Sequence, residues 1–268
     1  MCYPLPTVEA ILLTGGVPKP GKPLYQYSQG HPKASLKLTG TSLVQRSLSA
    51  LDASEHIKRI VIVGPELGLE LRAEKPLAFV PHQGSMMDNL LGGMRFIQQT
   101  NPSTKHYFLC SSDLPLIQAH MLDWIITKCL VDTADIYYPL VTRKSMEAHF
   151  PEMERGYVAF KDTEVTGAAM GVVTARTLEI DMKFWQSLEA TRKSIWRQAA
   201  LFGYSNLLGM LFRRFTLQEA VDRVVYKLGI VGRILMSPHP EIAYDVDVNA
   251  DWEYLLERQV QFGMVSKD

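Results

Sequence analysis

Asp113 follows directly on an apolar, strand-like run, His106 to Cys110, within the segment Ser111-Ser112-Asp113-Leu114-Pro115. A carboxylate at the end of a buried strand is costly unless something partners it. A hard cation such as Mg²⁺ suits that position, because it takes one or two carboxylates together with substrate phosphates. The plainer alternative is an N-cap for a helix beginning near Gln118, which the intervening Pro115 disfavours. Much later, Asp245-Val246-Asp247 closes another strand-like run, Ile242 to Val248, with Asp251 one helical turn beyond. Side chains two apart on a strand share a face, so Asp245 and Asp247 can line one site. Asp251 then serves as a favourable negative charge in the first turn of a helix. On this reading Asp113 and Asp247, from separate strands, share a metal ion.

Two further groups suit phosphate. Thr14-Gly15-Gly16 follows the nearly continuous apolar run Val8 to Leu13. Glycines at a strand's carboxyl end let backbone N–H groups approach phosphate oxygens closely, although two glycines also make an ordinary tight turn. The loop is neither GxGxxG nor GxxxxGK[ST], since Gly21-Lys22 is followed by Pro23. Lys33, just after Pro32, is placed to reach back toward triphosphate charge, or else stands on the surface. His106, Cys110 and His239 have no base or nucleophile partners at readable spacing, and they read as core or surface residues.

The elements that must position these groups alternate as βαβ units do. Strands are expected at Val8–Leu13, Arg59–Val63, Leu77–Val80, His106–Cys110 and Asp135–Leu140. Helices are expected at Ser42–Leu51, Ser85–Gln99 and Gln118–Leu130, from apolar positions three and four apart. Tyr157–Phe160 and Ala169–Thr174 look like strands around a turn at Thr163–Gly167. Residues 176 to 229 read as mostly helical, Ile242–Val248 as a last strand and Ala250–Val260 as a closing helix. The fold class is therefore α/β, three-layered, with a mostly parallel central sheet and a helical C-terminal insertion over about 176–235. The whole of 1–268 reads as one domain.

Taken in order, these segments resemble the MobA-like NTP transferases of the GT-A-type nucleotidyltransferase superfamily. The family's Leu-Ala-Gly-Gly-like loop is matched by Leu13-Thr14-Gly15-Gly16, and its Pro-Lys-Ala-Leu-like segment by Pro32-Lys33-Ala34-Ser35-Leu36. Its Ser-x-Asp-x-Pro setting is matched at 111–115, and its late Asp-x-Asp before an acidic helix turn by Asp245-Val246-Asp247 and Asp251. A subgroup of these transferases also shares Gly84 and the Asp88-Asn89-Leu90 region. The resemblance implies that Leu13, Thr14, Gly15, Gly16, Gly84, Asn89 and Ser112 face an NTP, with Lys33 on its phosphates. It implies Asp113 and Asp247 as Mg²⁺ ligands, Thr166 and Gly167 near the acceptor, and transfer of NMP with release of pyrophosphate. The acceptor it implies is small and phosphorylated. Two departures stand out. Lys19 or Lys22 must replace the family's loop arginine, and Gly167-Ala168-Ala169-Met170 replaces a Gly-Gly-Asn. The second motivates an alternative, a nucleotide-binding or interaction protein of the same fold whose catalytic site has decayed. A sugar-nucleotide-dependent glycosyltransferase would want a second carboxylate beside Asp113.

Composition narrows the partners. The chain has 268 residues and equal numbers of basic and acidic side chains, 28 each, which argues against a nucleic-acid-coating protein. Its three cysteines, Cys2, Cys110 and Cys129, are too scattered for a disulfide framework or zinc site. No apolar run approaches a spanning length, so the expected setting is soluble and cytoplasmic. Between Lys183 and Arg233 nine basic residues face only Glu189, Glu219 and Asp222. These helices read as a solvated surface, with a lid over an anionic acceptor or peripheral contact with anionic lipid as the alternatives.

Overall fold

The apolar run at the start becomes the centre of the sheet. In β1 (Val8–Leu13) the side chains of Val8, Ala10 and Leu12 enter the core on one face, while Ile11 enters a second core on the other. Burial on both faces is what makes a parallel strand read as continuous rather than alternating. The structure, a computed structural model, describes residues 7–131, 133–191 and 214–262.

After β1 come a short helix α1 (Tyr25–Ser28), a single 3₁₀ turn at Lys33–Ser35, and a small hairpin of β2 (Lys37–Leu38) and β3 (Thr41–Ser42). Helix α2 (Leu43–Ala53) is capped by the Ser42 hydroxyl, which accepts from the Gln45 N–H. β4 (Ile57–Gly64), β5 (Leu77–Pro81), α3 (Met86–Thr100), β6 (His106–Ser111), α4 (Ala119–Leu130) and β7 (Ile136–Thr142) complete the alternating half. Then follow α5 (Arg143–His149), β8 (Val158–Ala159), β9 (Glu164–Gly167), β10 (Met170–Thr174), α6 (Met182–Thr191), α7 (Leu217–Leu228), β11 (Gly232–Met236) and α8 (Asn249–Glu257).

Among the described residues the main sheet runs β5-β4-β1-β6-β10-β7-β9-β8, with β11 beside β7. β5, β4, β1 and β6 are parallel, and β11 is parallel to β7. β10 is antiparallel to both β6 and β7, and β9 to β7. One large core on one face gathers residues of α2, α4 and α8; the smaller core on the other centres on Met87, Leu91, Met94 and Ile97 of α3. The expected three-layer α/β architecture is the observed one.

Three expectations need correction. Ile242–Val248 is not a strand: Pro240–Ala243 forms a 3₁₀ turn, and the residues after it are irregular. Its burial comes from packing against the large core, and its hydrogen bonds go elsewhere, the Val246 N–H to the Asp113 carbonyl at 3.1 Å. The last strand is instead β11, which takes up the end of the stretch, about 176–235, expected to belong to the helical insertion. The turn expected at Thr163–Gly167 is largely strand β9, because pairing with Leu140–Thr142 of β7 overrides the turn-like composition. Of the expected helical insertion, α6 and α7 are seen, while 192–213 lie outside the described residues. Arg192, Lys193, Arg197 and Arg213 of the basic segment fall there too. Among the described residues no helix is long and apolar enough to cross a membrane.

One polar residue in β1 has a structural task. Glu9 is 1% exposed and accepts from Arg59 Nε at 2.6 Å, Asn101 Nδ2 at 2.6 Å and Thr104 Oγ1 at 2.8 Å. Removing it leaves several donors in low dielectric without an acceptor. Glu9→Ala is expected to destabilise the fold by about 3 kcal/mol, measured by urea unfolding. An unchanged midpoint would show that these donors find water instead.

Candidate active site

Three segments meet at the carboxyl ends of β1 and β6. Thr14 continues β1 with its N–H on the Val63 carbonyl at 2.9 Å, and the Ser112 N–H reaches the Leu13 carbonyl at 3.0 Å. Those two bonds lock the ends of the strands together, so Asp113 emerges beside the glycine loop. Gly16 then turns with a φ of 96° and nothing within 4 Å of where a Cβ would stand, a conformation that favours glycine. Its carbonyl accepts the Lys33 N–H at 2.9 Å. The backbone thus brings Lys33 back to the loop across an irregular stretch.

The third segment comes from the far end of the chain. Val246 is tied to the Asp113 carbonyl, and the Asp247 and Val248 N–H groups both donate to Asp251 Oδ2 at 2.8 Å. Asp251 therefore caps the start of α8, as its position suggested. Asn249 Oδ1 accepts the Leu24 N–H at 2.6 Å, fixing α8 against α1.

These bonds place carboxylate oxygens of Asp113, Asp245 and Asp247 within 4.8 Å of one another. Lys33 Nζ lies between two of them, 2.5 Å from Asp113 Oδ2 and 2.7 Å from Asp247 Oδ1. Burial alone would lower the Lys33 ammonium's pKa, but Asp113 and Asp247 outweigh it and hold the group above its ordinary range. Arg155 closes the opposite side, with Nη2 2.5 Å from Asp245 Oδ1 and Nε 3.1 Å from Thr166 Oγ1. Burial pushes the Asp245 carboxyl up to about 6, partly offset by Arg155 and reinforced by Asp113 and Asp247. Three carboxylates against Lys33 and Arg155 leave one negative charge over, and Asp113 Oδ1 is buried without a hydrogen-bond partner. An all-oxygen donor set with surplus charge and one orphaned oxygen fits Mg²⁺.

The remaining expected residues surround this centre. Asn89 is buried, with Oδ1 accepting the Gln83 N–H at 2.7 Å and Nδ2 3.0 Å from His82 Nδ1. Nδ2 is also 3.6 Å from where a Cβ on Gly15 would stand. Asn89 thus braces the turn through Gln83 and Gly84 against the glycine loop. Ser85 and Asp88 cap α3 reciprocally at that turn. Thr166 accepts from Arg155, and Gly167 leaves the space that the Tyr138 hydroxyl occupies. Ala168 and Ala169 link β9 to β10, the former donating to the Pro139 carbonyl and the latter accepting from the Ser111 N–H. Asp245, read from sequence as able to line one site with Asp247 but not as a metal ligand, is a full member of the cluster. Arg155 was not anticipated, because it lies in an irregular stretch between α5 and β8 where no periodicity marks it.

A family model described as the MobA-like NTP transferase domain matches residues 10–178. Among solved structures, a hypothetical transferase from Thermus thermophilus is 26% identical, with 91% of this chain and 99% of that chain covered and a TM-score of 0.77. The CMP:2-keto-3-deoxy-manno-octonic acid synthetase complexed with CTP is 14% identical, covering 96% and 99%, with a TM-score of 0.58. The inositol-1-phosphate CTP transferase from T. maritima is 13% identical, covering 98% and 100%, with a TM-score of 0.54. The last two share the fold. By sequence, the chain matches no curated protein.

Proposed function

The chain belongs to the family of MobA-like NTP transferases, and from that membership we propose a Mg²⁺-dependent nucleotidyltransferase that moves NMP from an NTP to a small phosphorylated acceptor. The observation that carries this reading is the meeting of Asp113, Asp245 and Asp247 around Lys33 beside the Gly15-Gly16 loop. Two fold relatives act with or bind a cytidine nucleotide by their names, which supports an NTP substrate here.

The triphosphate lies along Leu13 to Gly16, with the backbone N–H groups of Gly15 and Gly16 facing its oxygens. Lys33 adds a positive charge there. Gly84 and Asn89 shape the side toward the base and ribose, and Ser112 keeps the loop registered on β6. Asp113 and Asp247, joined by Asp245, hold the Mg²⁺, which when bound neutralises triphosphate charge. Thr166 and Gly167 border the acceptor. An acceptor phosphate oxygen donates its electron pair to the α-phosphorus, and the bond from that phosphorus to the bridging oxygen breaks. The pair departs with pyrophosphate. Such a reaction needs positioning and charge stabilisation more than a covalent nucleophile.

Pyrophosphate release measured with each of the four NTPs and a set of sugar and polyol phosphates tests the proposal, with a chelator control for the metal. Binding of no NTP in the presence of Mg²⁺ would end it.

The backbone beneath the loop gives a more local test. A Cβ on Gly64 would collide with the Thr14 hydroxyl and come within 3.1 Å of the Thr14 carbonyl carbon. Gly64→Ala is therefore expected to shift the glycine loop and weaken NTP binding by about tenfold while the sheet stays folded. Calorimetry with NTP and circular dichroism would check both halves.

A further inference from the structure

Beside the carboxylate cluster, with Arg155 common to both, lies a cleft of about 430 Å³ bordered by Arg143, Glu147, Glu154, Arg155, Tyr157 and Glu164. Its charges are not equivalent. Arg143 is engaged on both sides, with Nε 2.6 Å from Glu147 Oε1 and Nη1 3.1 Å from Glu164 Oε2, and it lies over the Tyr157 ring. Arg155 is held by Thr166 through Nε and by Asp245 through Nη2, with its side chain 15% exposed. Its Nη1 has no partner among the described residues, and Arg155 borders the cleft. Glu154 stands exposed on the cleft wall without an ion-pair partner among the described residues.

An arginine fork anchored at two corners and open at the third is prepared for an anion. Because Arg155 touches Asp245, an anion on its free corner stands next to the centre where the α-phosphorus is placed. Apart from Tyr157 and from Arg143, which Glu147 and Glu164 already engage, the charged and polar rest of the cleft is carboxylate, which only accepts hydrogen bonds, and one of these groups lacks a counter-charge. Beyond its anionic end, an occupant must therefore supply donors and no further negative charge.

We propose that this cleft holds the acceptor, that Arg155 binds the acceptor's reacting phosphate, and that the acceptor is a phosphomonoester of an uncharged, hydroxyl-bearing compound. The inference rests on the transferase reading of the adjoining site. It goes further by fixing where the acceptor lies, which residue grips it and what its body carries. The attacking atom is then an oxygen already ionised at neutral pH, so Arg155 orients it and no proton need be removed.

The test uses the full chain loaded with Mg²⁺ and an α,β-methylene NTP analogue, which fills the nucleotide side and cannot react. Methyl phosphate, glycerol 3-phosphate and 3-phosphoglycerate are titrated in, with binding followed by ligand-detected NMR. Methyl phosphate should bind, and Arg155→Gln should weaken it by about tenfold or more, a larger factor than its effect on the NTP analogue. Arg155→Lys should recover part of the loss. Glycerol 3-phosphate should bind more tightly than 3-phosphoglycerate, and Glu154→Gln should narrow that preference. The inference is overturned if the loaded protein ignores methyl phosphate, if Arg155→Gln binds it like the parent, or if the carboxylate-bearing probe binds as well as the hydroxyl-bearing one. Failure of the NTP analogue itself to bind would instead strike the transferase site.

Discussion

Asp113→Asn is expected to lower turnover by about a thousandfold or more while leaving the protein folded. The expectation follows from charge. Three carboxylates less Lys33 and Arg155 leave one negative charge to attract a cation, and the substitution reduces that surplus to zero. Asp113 also contributes a buried oxygen without a hydrogen-bond partner. An amide nitrogen or neutral oxygen there is a poorer ligand for a hard cation. The fold should persist because the Asp113 carbonyl, which receives the Val246 N–H, is untouched, and Lys33 keeps Asp247. Steady-state pyrophosphate release, Mn²⁺ titration by electron paramagnetic resonance and a thermal melt read the three consequences separately. A variant with parental turnover would refute the assignment of Asp113.

Lys33→Met should move two measurements in opposite directions. With no ligand bound, the ammonium is the internal counter-ion of Asp113 and Asp247. Its removal raises the uncompensated charge from one to two, so a divalent cation alone should bind about tenfold tighter. The triphosphate, however, loses a positive partner, and turnover should fall by about a hundredfold or more. Metal binding without nucleotide, followed by turnover at saturating metal, distinguishes this from simple damage. Weaker metal binding together with lost turnover would mean that Lys33 merely keeps the carboxylates in place.

Much of this arrangement is legible in the sequence because its signals are local. The run Val8–Leu13 ending in two glycines, and the run His106–Cys110 ending at Asp113, are strands buried on both faces with polar residues just beyond their carboxyl ends. Length and hydropathy suffice to find them, and strand order then brings Thr14 beside Ser112. The late segment misled for a physical reason. Ile242, Ala243, Tyr244 and Val246 are all buried, as an apolar strand would be, yet they join the large core from a 3₁₀ turn and the irregular residues after it, with no neighbouring ladder. β9 was hidden by Thr166 and Gly167, which read as turn residues until β7 supplies a partner. Arg155 left no local trace. Its significance arises only when Asp245, ninety residues away in sequence, folds against it.

The order in which the parts occur along the polypeptide has a bearing on its biosynthesis. Gly16 and Lys33 are made before Asp113, and Asp113 before Asp245, Asp247 and the helix that braces them against Leu24. Domains fold progressively as they leave the ribosome. A nascent chain can therefore form β1, β4 and β6 while it still holds a single aspartate of the three. Termination between Asp113 and Asp245 would yield a species with the glycine loop and one aspartate of the three, so the full carboxylate cluster forms only after Asp247 has been made.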